Sequence, residues 1–361
     1  MRYKELDCLR GIAALIVVFG HMFNFYMTDA YANEILINLI LYSPLRIFIT
    51  GREAVILFFI LSGFVLSISY SSHNVKYKNY LIKRICRIHF PYLIAIIFSF
   101  ILIKLCNLYG VTQTNNLFST VTIKDLLYHL TLIGSFDATK INGAIWSLVV
   151  EMRISIIFPF LMYFIKKYKW KNSIIIASIF SVLTFLTSKF IPSIPAISDV
   201  LLTSPYILYF VIGAILAEHR LLLIKQFKTN RVVSCVSLVI AVLFYIYSRL
   251  LYEYRIIPVS LLSDWIIALG GSIIIIFVLS YNRFLLIRPL KFLGSISFSL
   301  YLLHTPIIKS FIYVFSGHAS ISIILFSALL TSILLATISY KFIELPFIAL
   351  GKRLTASKSI A

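Results

Sequence analysis

Arg10 and His21 stand eleven residues apart within the first apolar run of the chain. Eleven residues make about three helical turns, so both side chains would share one helix face, about 16 Å apart. Ala14 and Val17 complete that face, and both are small. Ionisable groups inside an apolar span are functional candidates, although a buried histidine can also be a packing residue that makes one hydrogen bond. The spacing therefore marks this pair as a candidate site.

A second candidate group lies in the fourth apolar run, where Ser147, Glu151 and Ser155 follow one another at intervals of four residues. Such residues share a helix face. If this helix enters from outside, Glu151 lies about 13 Å below the outer surface and His21 about 9 Å below it. The depths predict a histidine–carboxylate pair. The alternative is that Glu151 pairs with Arg153 or another basic residue for assembly alone.

Arg84 and Arg87 precede the third apolar run. If the segment is helical, a separation of three residues puts the two guanidinium groups side by side. Paired guanidinium groups suit a phosphate or diphosphate, because their donors match phosphate oxygens. The alternative interpretation is plain anchoring of the chain by positive charge on the cytoplasmic side.

Polar motifs also mark the last two apolar runs. Ser297, Tyr301 and His304 form one stripe, with His304 about 15 Å in from the cytoplasmic side. The stripe would either line a cavity or make hydrogen bonds between helices. Glu344 precedes Leu345-Pro346, where the proline is typical of a helix end, and a site role for Glu344 is a second interpretation.

The elements that position these residues follow from composition. The chain has 361 residues, of which 60% are hydrophobic and 13% charged, and its mean hydropathy is +0.97. These values exclude an ordinary soluble domain and indicate a membrane protein with many spans. A span needs about 20 apolar residues. Ten candidates lie near 8–27, 50–70, 90–109, 142–165, 172–190, 201–218, 232–250, 263–281, 293–315 and 320–343.

The basic residues orient the spans. Lys and Arg outside the spans favour the segments on one side by roughly three to one, which predicts that this side and both termini are cytoplasmic. The same bias explains most of the net charge of +20 without a nucleic acid. Anionic lipid headgroups of the bilayer and a phosphorylated ligand are the expected partners. The fold class is thus an all-α, polytopic membrane helix bundle of about ten transmembrane helices.

Several chemistries lack a signature in the sequence. There is no Gly-x-Ser-x-Gly elbow, no Gly-x-x-x-x-Gly-Lys phosphate loop and no His-Glu-x-x-His pair. Serine-hydrolase, ATPase and metalloprotease functions are therefore not indicated, and no metal site is expected. The first run resembles a signal peptide but is long, carries Arg10 and His21, and precedes nine more spans, so it is expected to be retained.

The chain resembles the bacterial acyltransferase-three family of integral-membrane, acyl-CoA-dependent acyltransferases that modify surface glycans. The matching blocks are Leu6–Ala14 with His21, Leu57–Leu66, Lys83–Ile88 with Pro91-Tyr92, Trp146–Leu148 with Glu151 and Pro159, Ser297–His304, and Glu344–Pro346. They occur in the family's order over nearly the whole chain. Two departures are expected: no appended esterase-like domain, which some members of the family carry, and Arg52-Glu53 at positions where small or apolar residues are common.

The resemblance implies a transmembrane acyltransferase domain over 1–346 and a short basic cytoplasmic tail over 347–361. It also implies an acyl-CoA donor on the cytoplasmic side, an acceptor hydroxyl reached from outside, and the inner membrane of a bacterium as location. No permanently bound cofactor is expected, because acetyl-CoA or another acyl-CoA is a substrate. The acceptor would be a polysaccharide, lipopolysaccharide or lipid-linked glycan. The oligomeric state is left open.

These expectations assign a role to each candidate residue. His21 would act as general base and Glu151 would hold its tautomer. The donor phosphates would bind Arg10, Arg84 and Arg87, with the pantetheine arm along the Arg10–His21 face. The cavity-lining candidates are Trp146, Ser147, Ser297, Tyr301 and His304. A polytopic transporter or flippase is the main rival and predicts broken helices and internal symmetry. A membrane scaffold or receptor would leave Arg10, His21 and Glu151 unexplained.

Overall fold

The computed structural model describes residues 3–29, 31–71, 76–108, 121–130, 137, 139–190 and 201–356, and all regular structure in them is helical. The α-helices of this part of the chain are α1 (Lys4–Met27), α2 (Glu34–Tyr42), α3 (Gly51–Ser71), α4 (Tyr77–Arg84), α5 (Phe90–Leu108), α6 (Ile123–His129), α7 (Trp146–Phe190), α8 (Ile207–Thr229), α9 (Arg231–Glu253), α10 (Ser260–Ser280), α11 (Arg288–Phe315), α12 (Ile321–Ser339) and α13 (Leu345–Thr355). Two π-helical turns, Ile85–His89 and Tyr340–Glu344, connect α4 to α5 and α12 to α13.

Within the described residues, nine helical segments are long and apolar enough to cross a membrane. One of them, Trp146–Ser188, contains Lys169, whose backbone φ of 61° and ψ of 163° are not helical. This kink separates the two runs that the sequence predicts as separate spans, 142–165 and 172–190. The prediction of an all-α, multi-pass membrane protein with about ten crossings is therefore confirmed.

The charged start of the second span is accommodated inside α3. The guanidinium of Arg52 donates from Nε to Asp264 Oδ1 at 2.9 Å and from Nη2 to Asp264 Oδ2 at 2.6 Å. Asp264 belongs to α10 and is buried. A two-pronged ion pair of this kind offsets the cost of placing both charges in an apolar helix bundle.

The contacts divide the chain into two units. The first contains Met1–Val17, Asn38–Asn74 and Arg153–Ser295. Its helices approach closely at glycines: a Cβ atom on Gly63 would overlap the backbone of Phe210, and one on Gly213 would overlap that of Ile60. A Cβ on Gly11 would lie 2.5 Å from the backbone nitrogen of Gly294. Backbone-to-backbone packing of this kind is common in membrane bundles, because small residues let helices come close.

The second unit contains Val18–Ile37, Val75–Met152 and Ile296–Ala361. Helix α13 packs against α4 and the π-helical turn that follows it, and the rings of Phe90 and Phe347 stack with centroids 4.8 Å apart. Most of the segment predicted as a tail is thus a packed helix up to Thr355, and residues 357–361 lie outside the described part.

Helix α6 lies between the predicted spans 90–109 and 142–165, in a region of which residues 109–120, 131–136 and 138 lie outside the described part. Thr122 caps α6 by accepting from the amide of Asp125. The hydroxyl of Tyr92, the third residue of α5, donates to the carbonyl of His129 at 2.8 Å. Helix α6 therefore lies beside the beginning of α5.

Candidate active site

Two histidines of the second unit lie against each other. His21 is on α1 and His304 is on α11, and their ring centroids are 5.2 Å apart with the planes inclined by 47°. The sequence predicts each of them as a candidate but gives no sign that they meet. Because imidazoles are costly to place in an apolar helix bundle, we take this contact as the centre of the candidate site.

The ring of His304 is held at both nitrogens. Nδ1 lies 3.1 Å from the carbonyl oxygen of Leu300, so it must carry the proton and donate. Nε2 lies 3.1 Å from the hydroxyl of Thr305 and can then accept from it. His304 is 0% exposed. It is therefore a buried ring with both nitrogens engaged in hydrogen bonds.

His21 contrasts with its neighbour. Its ring is half-buried, and within the described residues no hydrogen bond engages either of its nitrogens. The charged residue whose field acts on it is Lys309, on α11. Of the two imidazoles, His21 is the one that can take a proton from an incoming group.

A hydrogen-bond chain fixes α11 below the histidines. Tyr301 Oη donates to the carbonyl of Ala144 at 2.9 Å and lies 2.7 Å from Ser147 Oγ. Ser147 Oγ also donates to the carbonyl of Ala144, at 3.4 Å, so the phenol, the serine hydroxyl and this carbonyl all bond to one another. All three residues are buried, and the rings of Tyr301 and His304 are 5.8 Å apart. Ser147 and Tyr301 thus make the interhelical hydrogen bond that was one interpretation of the polar stripe.

Asn142 is a positioning residue that the sequence analysis missed. Its side-chain amide donates to the carbonyl of Leu302 at 2.8 Å, and its Oδ1 accepts from the amide of Ala144 at 3.2 Å. Asn142 is 1% exposed. The Asn-Gly pair just before an apolar run was a signal for such a turn, because asparagine side chains bond to the backbone two residues on.

Glu151 pairs with Arg84, with Oε1 and Nη2 3.3 Å apart. The side chains are 18% and 11% exposed, respectively. The sequence allows Glu151 to pair either with His21 or with a basic residue, and this contact corresponds to the second interpretation. Arg153, the other candidate partner, donates to the hydroxyl of Thr203 at 2.8 Å within the first unit.

The predicted equal depth of Glu151 and His21 is corrected by the contacts of α11. Residues 143–147 run antiparallel to it, since Gly143 lies beside Thr305 and Ser147 beside Tyr301. Glu151 lies one helical turn beyond Ser147, and His304 lies one turn from Tyr301 in the opposite direction. Glu151 and His304 are therefore about 10 Å apart along the helix axes. The sequence-based estimate of the depth of Glu151 failed because it counted residues from an Asn142 placed at the outer surface. In the structure Asn142 is level with the middle of α11. A catalytic role for Glu151 stays a prediction.

The predicted side-by-side placement of Arg84 and Arg87 assumes a regular α-helix and stays a prediction. The chain between them enters the π-helical turn Ile85–His89, which changes the angle per residue. Arg84 turns inward to Glu151, and Arg87 is exposed. Their predicted role in phosphate binding stays a prediction.

The remaining candidates are distributed as follows. Arg10 lies in the first unit, where its Nη2 is 3.3 Å from Ser62 Oγ. Trp146, half-buried, is the first residue of α7. Ser297 is buried on α11, one turn before Tyr301. Glu344 is buried in the second π-helical turn and accepts from Ser299 Oγ at 3.0 Å.

Outside the spans, the described residues include one strongly perturbed carboxylate. Lys140 Nζ lies 2.7 Å from Asp125 Oδ1, and the amide and hydroxyl of Thr122 donate to Oδ2. These contacts, led by Lys140, lower the pKa of Asp125 to about 2. The ion pair fixes α6 to the segment that leads into the candidate site.

The described residues contain no group of three or more histidine, cysteine or acidic side chains that could hold a metal ion. Among known families, the model of acyltransferase-3, described as an acyltransferase domain, matches residues 3–341. A comparison with the curated proteins and another with the solved structures each found no match.

Proposed function

The chain belongs to the acyltransferase-3 family, and we propose that it is a membrane O-acyltransferase in which His21 is the general base. The donor is an acyl-CoA, most simply acetyl-CoA, and the acceptor is a hydroxyl group of a surface polysaccharide or a lipid-linked glycan. The observation that carries the assignment of the base is the contrast between His21, whose ring nitrogens are available, and His304, whose nitrogens are bonded.

The reaction needs little beyond a base and correct placement, because a thioester is an activated acyl donor. The acceptor hydroxyl gives its proton to a ring nitrogen of His21 while its oxygen attacks the thioester carbonyl. The new ester C–O bond forms and the C–S bond breaks. The proton held by His21 then passes to the sulfur of coenzyme A, and the enzyme is regenerated unchanged.

His304 supports this chemistry as a positioning residue. Its ring lies against His21, and its own hydrogen bonds to Leu300 and Thr305 prevent it from rotating. The hydrogen bonds of Tyr301 and Asn142 in turn hold α11 to the segment before α7. A base whose orientation is fixed by packing is more effective than one that samples many rotamers.

The donor is proposed to approach from the cytoplasmic side. Arg10 precedes His21 on α1 by about 16 Å along the helix, a distance that an extended pantetheine arm could cover. The acceptor is proposed to enter from the outer side, which fits modification of glycans outside the cytoplasmic membrane of a bacterium.

Two experiments test the proposal. Mass spectrometry of surface glycans from cells with and without the gene should show O-acyl groups that depend on it. The protein purified into lipid vesicles with radiolabelled acetyl-CoA should transfer label to the same glycan, and His21→Ala should not. Identical glycans in both strains, or full transfer by His21→Ala, would contradict the proposal. Movement of glycan across vesicles without acylation would favour a flippase instead.

A further inference from the structure

A lysine lies inside the span that carries His304. Lys309 is on α11, five residues after His304 and about 7.5 Å further along the helix axis. It is partly exposed, whereas its neighbours Ile308 and Ser310 are buried. Within the described residues, no hydrogen bond or ion pair engages its ammonium group. A lysine inside an apolar helix bundle is costly, so this residue is a functional candidate.

The side chain of Lys309 belongs to the same surroundings as the two histidines. Long side chains on a helix lean back over the preceding turn, and the residue one turn before Lys309 is Thr305. The hydroxyl of Thr305 lies 3.1 Å from Nε2 of His304, whose ring lies against that of His21. The positive charge of Lys309 acts on His21. A cation therefore stands beside the proposed general base.

The acids that lie within the helices near α11 are engaged elsewhere. Glu344 accepts from Ser299, which precedes Lys309 by ten residues, about 15 Å along α11. Glu151 pairs with Arg84. Neither of these carboxylates balances the charge of Lys309, so a balancing negative charge would have to come from the reacting molecules.

The proposed reaction generates such a charge. When His21 takes the proton of the acceptor hydroxyl, it becomes an imidazolium and is repelled by the ammonium group of Lys309. At the same step the hydroxyl oxygen attacks the thioester carbon, and the carbonyl oxygen becomes an alkoxide. Both cations attract this alkoxide. A cation already placed where negative charge develops stabilises the transition state without further rearrangement.

We propose that Lys309 is a further catalytic residue, whose ammonium group stabilises the negative oxygen of the tetrahedral intermediate. The inference rests on the proposed function for the reaction itself. As the new C–O bond forms, the electron pair of the carbonyl moves to its oxygen beside Lys309. The pair returns as the C–S bond breaks, and the sulfur of coenzyme A takes the proton from His21. Lys309 keeps its own protons throughout.

The test compares wild type, Lys309→Met, Lys309→Arg and Lys104→Met in lipid vesicles. Lys104 is an exposed lysine of α5 in the same unit, so its variant removes a charge from a different place. The substrates are radiolabelled acetyl-CoA and glycan extracted from a strain that lacks the gene. Lys309→Met should lower kcat by about 100-fold to 1,000-fold, the usual loss for one group that stabilises an oxyanion. Its KM for acetyl-CoA should be unchanged, because the interaction is made only in the transition state.

The other forms separate catalysis from folding. Lys309→Arg keeps the charge and should retain more of kcat than Lys309→Met, and Lys104→Met should act as wild type does. Lys309→Met should melt no lower than wild type, since methionine is also unbranched and an unpaired charge in an apolar bundle is destabilising. A kcat loss explained by a smaller folded fraction would make Lys309 a structural residue and overturn the inference.

Three further results overturn it in different ways. Wild-type kcat in Lys309→Met removes this residue from the reaction, while leaving an acyltransferase with His21 as base in place. A raised KM for the glycan with unchanged kcat assigns Lys309 to an acidic group of the acceptor instead. A wild type that transfers no acetyl group overturns both the proposed function and the role of Lys309.

Discussion

His304 lies against His21 with ring centroids 5.2 Å apart, and it does so with both of its own nitrogens already bonded. The two imidazoles therefore differ in what they can do although their rings lie side by side. One is a fixed neighbour, and the other is free to exchange a proton.

This difference predicts unequal effects of substitution. His21→Ala should reduce acyl transfer by roughly 100-fold to 10,000-fold, the usual contribution of a general base. His304→Phe keeps a ring beside His21 but loses its hydrogen bonds, so it should retain more activity than His21→Ala. Both rates are measured on purified protein of confirmed membrane insertion. The opposite order would make His304 the base.

Tyr301 should contribute mainly to stability. Tyr301→Phe removes the phenol hydroxyl that bonds to the carbonyl of Ala144 and to Ser147 Oγ, which should cost about 1 kcal/mol of folding free energy for each hydrogen bond lost. Thermal unfolding in detergent measures the loss. Tyr163→Phe is the matched control, because Tyr163 is 69% exposed and its variant should melt as wild type does. Equal melting of both variants would mean that the bonds of Tyr301 do not hold α11.

The Arg84–Glu151 pair predicts coupling in a double-mutant cycle. Glu151→Gln leaves the mostly buried guanidinium of Arg84 without its carboxylate, and Arg84→Gln leaves the carboxylate without its cation, so each should destabilise the protein. The double variant should be less destabilised than the sum, with a coupling of roughly 1–3 kcal/mol. Additive losses would show that the contact carries no energy.

A second cycle addresses catalysis by Glu151. If Glu151 holds the tautomer of His21, Glu151→Gln combined with His21→Ala should be little worse than either alone, because the residues would share one step. If Glu151 serves only Arg84, its loss should appear in stability while the transfer rate per folded molecule is retained. Acyl-transfer rates corrected for non-enzymatic turnover, with the folded fraction measured in parallel, separate the two cases.

The ion pair of Asp125 gives a prediction for acid pH. An acid whose pKa is lower in the folded protein stabilises that state above its unfolded pKa, about 4, and the stabilisation is lost as the pH falls. For Asp125 the loss should proceed as the pH falls toward and through about 2. Pepsin cleavage within 121–130, followed by mass spectrometry, should therefore increase between pH 4 and pH 2.

Two variants check that this change belongs to Asp125. Asp125→Asn should be cleaved readily at pH 4 and should show little further increase on acidification. Asp29→Asn changes an aspartate of another segment and should behave as wild type does. Cleavage of Asp125→Asn that follows the wild-type pH profile would assign the transition to a different group.

The membrane-spanning segments could be predicted from the sequence, because they are recognised by the length of each apolar run and by the basic residues that flank it. The partners of the candidate residues could not. Helical spacing places Tyr301 and His304 on one stripe, yet nothing in the sequence says that His21 or Ser147 faces it. The depth of Glu151 was misjudged because the starting level of its helix depends on the bond between Asn142 and Leu302.

The Arg84–Arg87 segment shows a second limit. Their spacing implies adjacent side chains only if each residue advances by the α-helical angle. The turn Ile85–His89 is π-helical, so its residues do not advance by the α-helical angle. This π-helical turn packs against α13, a helix far along the chain, and the residues of the turn give no sign of it.

Gly11 and Gly294 touch backbone to backbone, and each would clash if it carried a side chain. The requirement is mutual, because a Cβ on Gly294 would lie 2.5 Å from the carbonyl oxygen of Asp7. A larger residue at one of these positions cannot be compensated by a change at the other, because glycine has no side chain that could be made smaller. In a library of all single and double substitutions, both should be intolerant, and no second change at the partner should restore function. Both positions should therefore accept only glycine, whereas exposed apolar residues of the same helices should tolerate substitution.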